Sequence, residues 1–243
     1  MKRLLIVPIT LLAGLLVPSL AQAAPASVKV TSTPTTPVQL LVLFLFLAVI
    51  PGLVFAMTAF PRILIVLSFL RQAMGTPSTP PTQVLVGIAL FLTLFIMAPT
   101  VNAVKKEAFT PYIEKKITFN TALQRGQEPI RKFMFAQTRP SDLALFVKLS
   151  KPKTPPKTEA QVSTIVLIPA FMTSELQTAF QIGFMLFLPF LIIDLVVAST
   201  LLSIGMMMLP PPLISLPFKL LLFVLVDGWA LVFQSLVNSF NTS

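Results

Sequence analysis

The sequence predicts an all-α, membrane-associated protein built of helical hairpins, with about four long apolar helices and one hydrophilic helical region. Three observations point there. Of the 243 residues, 55% are hydrophobic and only 11% charged, against about 25% charged in an ordinary soluble domain, and the mean hydropathy is +0.89. The apolar residues form long uncharged runs, the pattern of helices that span a bilayer or are buried on every side. Most of the basic residues behind the net charge of +10 gather in one stretch, the only part of the chain fit to fold in water.

The N-terminal "MKRLLIVPITLLAGLLVPSLAQAA" opens on Lys2 and Arg3, continues apolar and closes on Ala21-Gln22-Ala23. A charged start, an apolar core and an A-x-A site make a secretory signal peptide over 1–23. Pro8, Gly14 and Pro18 interrupt it and shorten it below a span of about twenty residues. The mature chain then begins at Ala24, outside the cytoplasm. Residues 24–37, rich in Pro, Thr and Ser, read as a flexible leader.

Residues 38–103 form a first helical hairpin. "LLVLFLFLAVIPGLVFAMTAF" (40–60) is apolar all round and kinked at Pro51-Gly52, where proline removes a backbone hydrogen bond. "PRILIVLSFLRQAMGTPSTPPT" (61–82) is expected to be a cytoplasmic connector. Arg62 and Arg71 have no acidic residue near them in sequence and fit the positive-inside bias. "QVLVGIALFLTLFIMAPTV" (83–101) returns into the membrane.

From 104 to 161 the composition turns basic, through Lys105, Lys106, Lys115, Lys116, Arg131, Lys132, Lys151, Lys153 and Lys157. The alternation of spans places this region outside the cytoplasm, and long loops cross largely regardless of charge. Ser141 is expected to cap a helix there, and "SKPKTPPKTE" reads as linker. Residues 162–243 form a second hairpin around a methionine-rich loop. Its run 165–204 is twice the length one span requires and divides into an amphipathic helix through Thr178 and an apolar one from Phe180. After "GMMMLPPP" a last apolar helix follows from Leu213. Hydropathy thus gives four principal segments with both mature ends outside.

The same composition excludes several chemistries. There is no cysteine and no histidine, so zinc, haem and iron–sulfur sites lack their usual ligands and a Ser-His-Asp triad cannot form. No cofactor is expected. With 8 glycines and neither GxGxxG nor GxxxxGK[ST], nothing cradles a nucleotide phosphate. Aromatic residues do not interleave with the basic ones as stacking on nucleic acid requires.

Four charges interrupt the apolar runs: Glu175, Asp194, Lys219 and Asp227. A charged side chain at the centre of a bilayer costs about 2.5–3.5 kcal/mol on insertion scales. Lys219 and Asp227 are expected either to snorkel to an interface or to pair between helices or subunits. Glu175 and Asp194 favour pairing, because a carboxylate is too short to snorkel far. An intramembrane aspartyl protease would also use two aspartates, but its second stands in a Gly-x-Gly-Asp turn, whereas here glycine follows it in "LVDGW".

Four segments together carry a resemblance. "PAFMTSELQTAFQIGF" (169–184) and "PFKLLLFVLVDGW" (217–229) resemble the two signature segments of the FliP family of flagellar export-apparatus proteins, and "FPRILIVLSFLRQAMG" (60–75) and "GMMMLPP" (205–211) resemble the family as well. The injectisome counterparts are the SctR proteins; the signal peptide and the "GMMMLPP" form favour the flagellar branch. The resemblance implies an oligomeric ring of five copies joined by FliQ and FliR subunits, with FlhB and FlhA types nearby. It places the ring in the bacterial inner membrane and flagellar basal body, with a periplasmic portion, as a core gate for unfolded polypeptides. Such an assembly rises above the plane that hydropathy implies, so apolar helices would bury against sister subunits as well as lipid. The resemblance also assigns Met206, Met207 and Met208 to a gasket around the translocating chain, with Pro210, Pro211 and Pro212 fixing the loop. Methionine suits that role because its flexible, polarizable thioether conforms to varied surfaces. A small-molecule or ion transporter is the alternative of a different class. It calls for polar residues at the midplane, and only Asp194 qualifies.

Overall fold

The computed structural model describes residues 37–152, 156, 158–206 and 208–241. The signal peptide, nearly all of the leader, Met207, Lys153 and Lys157 lie outside the described residues. Among those described, the chain is helical and has no strand. The order is α1 (Pro37–Ala56), α2 (Phe60–Ala73), α3 (Thr82–Val104), a π-turn (Lys105–Phe109), α4 (Thr110–Ile113), α5 (Phe119–Gln137), α6 (Pro140–Leu149), a 3-10 turn (Glu159–Gln161), α7 (Thr164–Ser203), α8 (Pro211–Leu225) and α9 (Gly228–Asn241). Residues from Leu47 onward form one unit and those up to Phe46 a separate one; the following concerns the larger.

The core is built on α2. Ile63, Val66, Leu67 and Leu70 are fully buried, at the i, i+3, i+4, i+7 spacing that puts them on one helical face. They pack with Leu85 and Ala89 of α3, Ala179 and Phe190 of α7, and Val232 and Leu236 of α9. α2 and α7 approach closely at Gly183, where a Cβ would stand 2.6 Å from the Phe69 ring. The segment 61–82 is therefore not the expected connector. Its apolar spacing makes fourteen residues of helix, and only the turn-forming 74–81 connects. A second cluster, around Met134, Leu167 and Phe171, joins α5 to the start of α7.

The run 165–204 is also one helix rather than two: α7 continues through 40 residues, about 60 Å at 1.5 Å per residue. Pro169 and Pro189 lie within it without ending it, and Gly183 makes room for the Phe69 ring. The last apolar helix, expected to be single, is divided instead. α8 and α9 meet at 65°, with Asp227 at φ +51 between them. Gly228 permits the bend: a Cβ there would stand 2.2 Å from the Phe223 ring. Ser141 does not cap α6, which starts at Pro140 with Arg139 in the cap position. The pair α3–α4 (Thr82–Ile113, with the π-turn) and α7 are each long and apolar enough to cross a membrane, and bent α8–α9 makes a third candidate.

In the basic region, Arg131 is buried rather than solvated. Its guanidinium donates to the carbonyls of Glu159 and Val162 at 3.1 and 2.7 Å and to Thr164 Oγ1 at 2.5 Å. It fastens the segment leading into α7 to α5.

Candidate functional site

The connection between α7 and α8 is a defined turn. Gly205 takes φ +83, which a residue without Cβ adopts freely. Its N–H donates to Leu202 O, and that of Met206 to Leu201 O, both at 3.0 Å. This double closure is the Schellman motif, which satisfies the last carbonyls of a helix and turns the chain away. At the other side Pro210 is extended, with Pro211 and Pro212 in the first two positions of α8, where no N–H is required. Between these two fixed ends the chain must project. Met206 is 44% exposed and Met208 97%.

The charges within apolar helices are resolved differently from one another. Glu175 is completely buried, and its partner is Arg62 of α2, also buried. All five guanidinium hydrogens are used. Nε donates to Glu175 Oε2 at 2.9 Å and Nη2 to Glu175 Oε1 and to Gln137 Oε1. Nη1 donates to the carbonyl and hydroxyl of Ser239 at 3.0 and 3.1 Å, and the plane lies 3.8 Å over the Phe240 ring. One arginine thus binds α2, α5, α7 and α9. Asp194 of α7 receives Lys219 Nζ at 2.6 Å on one oxygen and Ser215 Oγ at 2.5 Å on the other, both from α8. Asp227 is exposed at the α8–α9 bend, and no hydrogen bond from the described residues holds its carboxylate. Asp194 and Asp227 do not pair, and among the described residues no group of acidic side chains could hold a metal ion.

Sequence reasoning missed Arg62 as a site residue. The available signal was its place one turn before Val66, on the stripe that α2 buries. A further polar cluster escaped it as well. Arg139 donates to both oxygens of Asp142, at 3.0 and 3.3 Å, and to Gln177 of α7, while Ser174 Oγ donates to Asp142 at 2.7 Å. The Arg139 hydrogen bonds hold the Asp142 carboxyl below the ordinary 3.8; burial opposes them and Ser174 adds to them. A lowered folded-state value means stability that is complete above that ordinary value and is lost as pH falls through the folded one. Asp142→Asn is therefore expected to lower Tm by roughly 2–4 °C at pH 7, for about 1 kcal/mol. The gap from the parent should narrow as the pH is taken below about 4. Thermal scans of the two proteins in detergent at each pH test this, and a gap independent of pH would remove the charge from the explanation.

Residues 43–236, which contain the turn, the Arg62–Glu175 and Lys219–Asp194 pairs and the bend, match the sequence model of the FliP family. The chain belongs to the FliP family. It is 57% identical over 206 residues to a flagellar biosynthetic protein FliP of Pectobacterium carotovorum, covering 85% of this chain and 80% of that one. It is 56% identical over 203 residues to that of Bacillus subtilis, covering 84% and 91%. The FliP family belongs to the flagellar export apparatus and is a family of structural proteins, not of enzymes. Membership and the apolar helices together give a membrane location, and the flagellar relatives decide the flagellar branch over the injectisome one.

Proposed function

We propose that this chain is one copy of a five-membered ring forming the conduit of the flagellar export gate, and that its α7–α8 turn is the seal. The observation that carries this is the projection of Met206 and Met208 from a turn fixed at both ends, by the glycine closure on one side and three prolines on the other. Large apolar side chains exposed on so constrained a turn are suited to meeting copies of themselves. Methionine conforms to whatever passes, and a dry ring of such groups opposes water and ions when nothing passes. Met207 completes the triplet in sequence. The passengers are unfolded polypeptides, the ring is joined by FliQ and FliR types with FlhB and FlhA types adjoining, and energy comes from outside this chain. Residues 1–23 act as a cleaved signal peptide that directs the protein to the inner membrane and basal body, with part of it periplasmic.

A solute transporter would need polar groups free at mid-depth. Asp194 is already bonded to Lys219 and Ser215, which favours the conduit. Replacing Met206, Met207 and Met208 together by alanine tests it. The ring should assemble in normal yield while the membrane becomes leaky to small ions. An assembled ring in a membrane as tight as the parent's would mark the turn as scaffold.

A further inference from the structure

α7 and α8 carry the methionine turn between them, and they are not held alike. α7 is packed on α2 at Gly183 and joined to it by the Arg62–Glu175 pair. α8 lacks such a footing beside the turn. Between its first turns and α7 lies a cleft of about 480 Å³, with Val196, Thr200 and Leu201 on one side and Ile214 and Phe218 on the other. Side chains that face a gap lose the contacts packing would give them.

The next face of α8 is the one that is held. Ser215 and Lys219 reach Asp194 of α7 at 2.5 and 2.6 Å. The other contact comes from the turn between α2 and α3. Gly75 ends α2 at φ +76. Its N–H donates to Gln72 O at 3.0 Å and that of Thr76 to Arg71 O at 3.3 Å, the same Schellman closure that ends α7. A Cβ at Gly75 would stand 3.3 Å from Leu216 Cδ1 and 4.0 Å from Lys219 Nζ. The backbone of this turn therefore lies directly against α8, with no side chain between them. The Lys219 ammonium sits beside both the Asp194 carboxylate and the C-terminal end of α2, the end that carries negative partial charge. Arg62 anchors α2 near its other end, so the turn is a firm support. Leu216 stands five residues into α8, about 8 Å from its start, and a displacement there reaches the methionines through a short arm.

We propose that Gly75 is a positioning residue for the methionine seal: the α2–α3 turn braces α8 through Leu216 and Lys219 and thereby sets how far Met206 and Met208 project. The inference rests on the seal reading above and adds the support that holds the seal in place.

Four full-length chains, the parent, Gly75→Ala, Leu216→Ala and the double variant, are compared in membranes with the other gate subunits. Gly75→Ala pushes Leu216 away from the turn, and Leu216→Ala leaves the turn without its contact. Each should raise ion leak about two- to tenfold, the range that coupling between touching residues carries, in a complex recovered in parental amount. The double variant should leak less than Gly75→Ala alone, because alanine at 216 clears the space the new Cβ needs. The strain of a side chain at φ +76 persists in the double variant, so its stability stays lowered while its leak is relieved. Parental leak in both single variants would overturn the brace, as would single effects that merely add in the double. If Gly75→Ala does not assemble, Leu216→Ala, which leaves the backbone of the turn untouched, decides by its leak alone. Alanine at 206, 207 and 208 in the same assay separates the two readings. Leak there with none from Gly75→Ala or Leu216→Ala removes the brace and leaves the seal, and a tight membrane there removes both.

Discussion

Arg62→Ala is expected to leave little folded protein in the membrane. The substitution removes a cation from a site where Glu175 has no access to water, so the carboxylate must either stay charged without a counterion or take up a proton. Breaking a buried pair by removing one member costs about 3–5 kcal/mol, against a whole-protein stability of about 5–15 kcal/mol. More is lost than the pair: Ser239 O, near the end of α9, and Gln137 of α5 lose a donor in the same stroke. The expected fall in Tm is roughly 6–20 °C, with a sharp drop in protein recovered after mild detergent extraction. Arg62→Lys should rescue poorly, because one ammonium cannot serve acceptors on three other helices. Arg62→Met with Glu175→Met should be less damaging than Arg62→Ala, since exchanging a buried ion pair for packed apolar side chains is often neutral. Should Arg62→Ala match the parent in Tm and yield, the four-helix junction is not what holds this fold together.

How far such features could be read in advance depended on whether the cause was local. The all-helical character and the apolar spans follow from composition and run length. The break at 204–210 follows from glycine and three prolines, whose backbone preferences act on the spot. Glu175, Asp194 and Lys219 drew notice as charges in the wrong solvent, which is again a local observation. Arg62 lies 113 residues from Glu175, and nothing in either neighbourhood names the other. Without that partner the arginine reads as a cytoplasmic flag and α2 as a connector. The unbroken α7 was hidden for a related reason. Run length alone argues for a division, since one span needs about half of it, but packing of Gly183 against Phe69 belongs to a helix that continues past the middle of the run. Arg131 was hidden among lysines, although its fork of donors suits the carbonyls leading into α7 where an ammonium would not.

The Asp194–Lys219 pair is expected to respond asymmetrically to substitution. It joins α7 to α8 on either side of the methionine turn, so it sets how the two stems of that turn stand. Its members are not equally placed: the Lys219 side chain is 7% exposed and that of Asp194 33%. Asp194→Asn strands an ammonium that water hardly reaches and should cost about 2–5 kcal/mol, whereas Lys219→Ala leaves a carboxylate that water still reaches and Ser215 still bonds. The aspartate change should therefore lower Tm the more, by roughly 4–20 °C. Lys219→Ala should act mainly on the turn, weakening recovery of the assembled complex and raising ion leak through whatever assembles. Restoring neutrality with Asp194→Asn and Lys219→Met together should recover stability relative to Asp194→Asn alone, but not the seal, because no bond then fixes one stem against the other. Thermal scans, complex recovery and a leak assay on the three variants separate these effects. If Lys219→Ala proves the more destabilising change, or if the doubly neutral chain seals as the parent does, the pair does not position the methionine turn and the stems are held by packing alone.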